Sequence, residues 1–322
     1  MKHRLPALLL LSVSVLTAAS FAQGWQHIQK IDRVDPLKNG FRATAGTALI
    51  ETTAIAPSVA RVRVSFTGKF DTRPSWAVIK TPEPVRTSLQ QDATSVSLQL
   101  PAGRVRLSKA DGRVAFLNTE GKTIVEEPAG FAPAHNGPEF RVWRTMPFGE
   151  QFRGLGDKPT ALNNRAYTNW NTDFYGWQES DDPLYKTIPF FVAFHEGRAY
   201  GTFLDNTWRS NFDFGKEARD RYSFGAEGGE LDYYFFFGPT PKDVLLAYMD
   251  LTGKVPLPPL WSLGFQQSRY SYYPEARVRE IAQTYRAKKI PLDLIYLDID
   301  YQDGNRPFTI DRKAFPNFEG MI

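Results

Sequence analysis

Residues 253–266 read Gly253-Lys254-Val255-Pro256-Leu257-Pro258-Pro259-Leu260-Trp261-Ser262-Leu263-Gly264-Phe265-Gln266. Proline fixes φ and removes a backbone donor, so Pro256, Pro258 and Pro259 make a stiff connection that cannot continue a helix or a central strand. The hydrophobic period differs on its two sides, which makes the connection a domain boundary. The expected division is 1–22 as a secretory signal, 23–258 as a β-sandwich, and 259–322 as the start of a barrel.

Upstream, the period is two. Ala60, Val62, Val64 and Phe66 alternate with Arg61, Arg63 and Ser65. Val96, Leu98 and Leu100 alternate with Ser97 and Gln99. Val105 and Leu107 lead through Asp111-Gly112 to Val114 and Phe116, a hairpin signature. Phe190–Phe194, a turn at Glu196-Gly197, and Tyr200–Leu204 repeat it, and Leu231–Phe237 reads as one more strand. Many short strands separated by turns predict an antiparallel sandwich. The period then changes at Thr240, a helix cap with Pro241 first and Asp243 in the first turn. Val244, Tyr248 and Leu251 share a face, and Gly253 ends the helix.

Downstream, the order is strand, helix, strand. Ser262–Gln266 reads as a short apolar strand. Pro274 opens a helix in which Val278, Ile281, Ala282 and Tyr285 lie on one face, with Lys288 and Lys289 at its end. Pro291–Leu297 is nearly continuous in apolar residues, as a buried parallel strand should be. This is one βαβ unit. Only 62 residues follow Leu260, whereas a closed (β/α)₈ barrel takes about 250. The expectation is a barrel cut short inside a domain.

The first residues read differently again. Lys2, His3 and Arg4 precede an apolar run from Leu8 to Leu16, followed by small residues such as Thr17-Ala18-Ala19. That is the form of a secretory signal, so a secreted or periplasmic protein is expected, with no membrane-spanning segment. The formal charge is +4, and without Lys2 and Arg4 it is +2. So small a charge, with its basic residues scattered, argues against nucleic-acid binding. The absence of cysteine excludes thiolate chemistry and leaves the fold to its own core. Aromatic residues make up 14% of the chain. They crowd into Trp170–Trp177 and Arg269–Tyr273, where flat rings could stack on sugars or simply pack.

Three segments could carry chemistry. Tyr296-Leu297-Asp298-Ile299-Asp300-Tyr301-Gln302-Asp303-Gly304 follows an apolar strand, where barrel enzymes place their sites. Alternation would send Asp298 and Asp300 to the same side if the strand continued. A calcium loop does not fit the ligand spacing, while a solvated loop with no role fits the spacing as well as a site does. Gly264–Tyr272 also lies at a strand end. Asn169-Trp170-Asn171-Thr172-Asp173 interleaves polar and aromatic residues in the strand-rich part, which a capped turn explains equally. The histidines His3, His27, His135 and His195 are not neighbours, so no metal site is expected from them. No phosphate-cradling loop or Gly-x-Ser-x-Gly is present, and no cofactor is expected.

Taken together, Phe148–Gly156, Gly238-Pro239-Thr240-Pro241, Pro258–Phe265 and the Asp298 segment resemble glycoside hydrolase family 31 in order and spacing. The resemblance implies a galactose-mutarotase-like β-sandwich followed by a (β/α)₈ barrel, of which this chain holds the first βαβ unit. It implies a retaining, exo-acting α-glycosidase, most simply an α-glucosidase acting on an α-linked oligosaccharide. In the retaining scheme two carboxyl groups stand about 5–5.5 Å apart, one the nucleophile and one the acid. The family's pair sits on later barrel strands, so no catalytic residue is assigned here. Substrate-binding positions do carry over: Asp298 as a ligand of sugar hydroxyls, Ile299 beside it, and Asp173 on a loop of the first domain. Tyr270 stands where many family α-glucosidases have Trp, which leaves sugar preference open. The alternatives are a non-catalytic carbohydrate-binding β-sandwich module and an α-glucan lyase of the same family.

Overall fold

The structure is a computed structural model and describes residues 24–322; the expected secretory signal, residues 1–22, lies outside them. The chain divides into two compact units, one running to Gly253 and one from Lys254 to Ile322.

The first unit is built of antiparallel strands in three sheets of eight, six and five strands. Both hairpins expected from alternation form. Gly103–Ser108 pairs with Val114–Leu117 in the register Arg104↔Leu117 to Leu107↔Val114. Gly112 turns that hairpin at φ 72°, and a Cβ there would lie 2.2 Å from Ile28, so both backbone and space require glycine. Thr187–His195 pairs with Arg198–Leu204 through Glu196 and Gly197, both at positive φ, as a two-residue hairpin turn demands.

At the centre of the eight-stranded sheet lies Leu231–Phe236, between Val59–Ser65 and Arg198–Leu204. All six residues are buried, because both faces of this strand are covered. Leu231, Tyr233 and Phe235 point into the large core shared with the other sheets. There Phe116 stacks on Phe235 with ring centroids 3.7 Å apart. Tyr234 and Phe236 enter a second core on the opposite face. That core is closed by α1 (Pro241–Thr252), whose Val244 and Leu251 are fully buried and whose Tyr248 stacks on Phe190 at 3.9 Å. The cap is as expected: Thr240 accepts from the Asp243 N–H and Asp243 accepts from the Thr240 N–H. Gly253 ends the helix at φ 103°.

Polar groups are also locked in this interior. Arg144 and Glu127 have no exposed side-chain surface and stand 3.8 Å apart. Glu127 accepts from the Val114 N–H at 2.8 Å, and Arg144 donates to the Tyr233 hydroxyl at 2.8 Å while lying over the Phe116 ring. Burial outweighs the nearby guanidinium and pushes the Glu127 carboxyl up. Glu150 is 4% exposed, and burial, opposed by the Tyr200 hydroxyl, pushes its carboxyl up to about 8.

The second unit holds α2 (Glu275–Ala287) and a parallel pair, Gln266–Gln267 with Leu294–Ile295. Both expected strands shrink to two residues. Leu260–Leu263 winds into a 3₁₀ turn instead of extending, because the Pro259 carbonyl accepts from both the N–H and the hydroxyl of Ser262. Leu294–Ile295 has a single ladder neighbour among the described residues. Val278 is buried on α2, packed with Tyr272, Ala314 and Phe315. The Glu275 carboxylate ties the helix start to the Asn317 N–H at 3.0 Å.

Two outcomes test this account. Phe235→Ala should cost about 3–5 kcal/mol of unfolding free energy, while Phe148→Ala, at a fully exposed ring, should stay within about 0.5 kcal/mol; urea unfolding of both variants measures the difference. Glu150 keeps its proton in the folded state up to about pH 8 but loses it near 4.5 when unfolded. Unfolding therefore releases a proton between those values, and its contribution to stability falls as pH rises through that window. Melting temperatures across pH 5–9 should decline less steeply in Glu150→Gln than in the parent.

Candidate sugar-binding site

In a parallel pair the two chains leave at the same end. The segments after Gln267 and after Ile295 therefore emerge side by side, and these carry Tyr270 and Asp298–Ile299. The pair is held by cross-links from its own side chains. The Tyr296 hydroxyl donates to Gln266 Oε1 at 2.6 Å, and the Tyr285 hydroxyl donates to Gln267 Oε1 at 2.6 Å. Gln267 Nε2 in turn donates to the Tyr272 hydroxyl at 2.8 Å. At the entry end the Phe265 N–H donates to the Asp293 carboxylate at 3.1 Å. That carboxylate lies where a Cβ on Gly264 would sit, at 2.0 Å, so the close approach requires glycine.

Beyond Ile295 the strand does not run on. Asp298 adopts φ 60° and ψ −156°, and Ile299–Tyr301 winds into a 3₁₀ turn. The condition under which alternation would send Asp298 and Asp300 to one side, a continuing strand, is therefore not met. The physical reason is local: Asp298 Oδ1 accepts from the Ile299 N–H at 2.8 Å and caps the turn, which competes with a ladder. A positive φ is strained for a residue with a Cβ, and such strain collects at ligand sites. Asp298 is exposed, Ile299 is 38% exposed and Tyr270 is 71% exposed. An exposed carboxylate, an apolar side chain next to it and a phenol ring are thus gathered at one end of this unit. Such a set can accept hydrogen bonds from hydroxyls and cover an apolar ring face.

Asp173 belongs to the first unit and is exposed there. It lies in the connection between Ala166–Asn169 and Thr187–His195. The loop is anchored at its base. Thr172 donates from its hydroxyl to the Pro183 carbonyl at 3.1 Å, and Asn171 Oδ1 accepts from the Thr187 N–H at 2.9 Å. Lys158 donates to Asp182 at 2.7 Å and to the Thr168 carbonyl at 2.7 Å; burial pulls this ammonium down, and the Asp182 carboxylate opposes it. Asp173 is thus carried on a tethered loop, as the Asn and Asp residues around it imply. The sequence reading overlooked Trp76, Asp205 and Trp208, which line cavities close to this loop. They are scattered along the chain, and no local spacing links them.

The known proteins agree with this architecture. The family model described as "Glycosyl hydrolase 31 N-terminal galactose mutarotase-like domain" matches residues 49–213, and that of the family 31 TIM-barrel domain matches residues 255–322. Alpha-glucosidase 2 of Bacillus thermoamyloliquefaciens is 44% identical over 267 residues, covering 81% of this chain and 34% of that protein. Alpha-xylosidase XylQ of Lactiplantibacillus pentosus is 36% identical over 184 residues, 55% of this chain and 23% of that protein. The Flavobacterium johnsoniae dextranase FjDex31A, solved with isomaltotriose, superposes with a TM-score of 0.87 at 31% identity, covering 92% of this chain and 37% of that one. The chain thus spans about a third of the length of such relatives. With a mutarotase-like sandwich followed by barrel elements, and a family pattern over half its length, the chain belongs to glycoside hydrolase family 31.

Proposed function

We propose that the protein is a retaining, exo-acting α-glycosidase, an α-glucosidase by preference, and that residues 1–322 supply sugar recognition. The observation that carries this reading is Asp298, a carboxylate exposed just beyond a parallel strand, on a left-handed backbone. Its free lone pairs suit the hydroxyls of a terminal glycosyl unit, and a charged acceptor roughly doubles the strength of each hydrogen bond. Ile299 lies against the apolar part of the same sugar and Tyr270 bounds it, while Asp173, on its own loop of the first unit, is a further sugar ligand by the family resemblance. The kinship to an α-glucosidase at 44% identity supports the glucoside preference.

In this reading the reaction runs in two steps. A carboxylate attacks the anomeric carbon while a carboxylic acid protonates the departing oxygen, and water then releases the sugar with the first configuration restored. Neither group is assigned among residues 1–322, so the 322-residue chain on its own should release no sugar. The apolar run at Leu8–Leu16 supports export of the protein.

The test is hydrolysis of p-nitrophenyl α-glucoside, isomaltose and maltose by a protein in which the barrel continues past Ile322. Glucose released first as the α-anomer, followed by proton NMR, is the expected result. The absence of turnover on any α-glycoside would overturn the assignment, and an unsaturated anhydro product would replace it with a lyase. Asp298→Asn in the same protein should lower kcat/KM by about 100-fold or more, with an unchanged melting temperature. An unaltered kcat/KM would remove Asp298 from the site.

A further inference from the structure

Tyr270 is 71% exposed, so little packing of its own holds the ring, and its place follows from the loop that carries it. That loop, residues 268–271, leaves the short strand Gln266–Gln267 and ends at Tyr272. Tyr272 is a fixed point. It is 6% exposed and packs with Val278, Ala314 and Phe315 in the core of the second unit.

At the other end of the loop stands Gln267, a half-buried residue whose amide makes three hydrogen bonds. Nε2 donates to the Tyr272 hydroxyl at 2.8 Å and to the Ser268 carbonyl at 3.1 Å, while Oε1 accepts from the Tyr285 hydroxyl at 2.6 Å. The bond to Tyr272 joins the residues on either side of the loop and closes it. The bond to Ser268 holds the loop's first carbonyl. The bond from Tyr285 ties both to α2, where the Tyr285 ring lies 6.0 Å from that of Phe265.

These partners ask for an amide. The Ser268 carbonyl can only accept, so Nε2 must face it, and Oε1 is left for the Tyr285 hydroxyl, which then donates. The second Nε2 proton goes to Tyr272. A carboxylate has no proton for the Ser268 carbonyl, and an apolar side chain serves none of the three partners. Gln266 cannot stand in, because alternation sends its side chain to the opposite side of the strand, where Oε1 accepts from Tyr296.

We propose that Gln267 is a positioning residue for sugar recognition: its amide clamps residues 268–271 between α2 and Tyr272 and so sets where the Tyr270 ring meets the sugar. The inference rests on the part given to Tyr270 in sugar recognition, and Gln267 acts through that ring.

Two measurements test it, and the first needs no turnover. Arg269 is exposed within the loop, and trypsin cuts after an arginine when the chain around it opens. In the 322-residue chain, Gln267→Met, which keeps the side-chain length, should raise the rate of cutting after Arg269 by about tenfold. The melting temperature and the rates at other sites should not change. Tyr272→Phe, which keeps the buried ring, should act alike, and it decides the matter if Gln267→Met melts early. An unchanged rate after Arg269 overturns the clamp.

The second measurement is the kinetics of p-nitrophenyl α-glucoside hydrolysis by a protein whose barrel continues past Ile322. Gln267→Met should raise KM by about tenfold with kcat nearly kept, as loss of uniform binding does. Tyr270→Ala should also raise KM, and in the double variant the two effects should not multiply, since both act through one ring. Effects that multiply overturn the proposal, as does a KM unchanged by either single substitution. No turnover in the parent would overturn the α-glycosidase reading and the recognition role with it, while the trypsin rates show separately whether the clamp exists.

Discussion

The strand Leu231–Phe236 must be covered on both faces, and much of the first unit follows from that. A strand with large side chains on both sides, among them Tyr233, Tyr234, Phe235 and Phe236, cannot lie at a surface without exposing a sheet of aromatic area. One face is met by the six- and five-stranded sheets through Phe116, Phe224 and their neighbours. The other is met by α1 through Val244 and Leu251. The helix that ends the first unit is therefore the second lid of its central strand, and its capping box serves that packing.

The same interior holds the buried Arg144–Glu127 pair, which links layers. Arg144 comes from the six-stranded sheet, the Val114 N–H from the five-stranded sheet, and the Tyr233 hydroxyl from the eight-stranded one. Replacing such a pair with apolar residues need not weaken a protein, but removing one partner leaves a buried charge alone. Its effect here is geometric: the guanidinium, lying over Phe116 and bonded to Tyr233, holds the sheets in one relative position.

Local chemistry and long-range assembly shape different parts of the surface. Asp298 is exposed by a turn that its own carboxylate caps, so its position is a property of a few consecutive residues. The cavity beside Asn169 is the opposite case. Trp76, Asn169 and Trp208 come from three separated stretches of chain, and only the sheet registers bring them together. One feature was visible as a motif, while the other had to be assembled.

From the sequence alone came the alternating strands, the Asp111-Gly112 and Glu196-Gly197 turns, the Thr240 cap and the change of period around the proline-rich connection. Each depends on interactions between near neighbours, which spacing reports directly. The family resemblance came the same way, since ordered motifs survive without their three-dimensional context. Tertiary structure alone decided that the strands form three sheets, and that Arg144 and Glu127 meet without solvent. It also decided that the strands around Gln266 and Leu294 are only two residues long, and that Asp298 leaves the strand on a left-handed backbone. Those outcomes turn on competition. A proline-directed turn at Pro259 displaced one strand, a capping carboxylate ended another, and burial rather than side-chain type set the state of Glu150. Spacing along a chain does not say which of two satisfied arrangements has the better partners in space, and the fold supplies that answer.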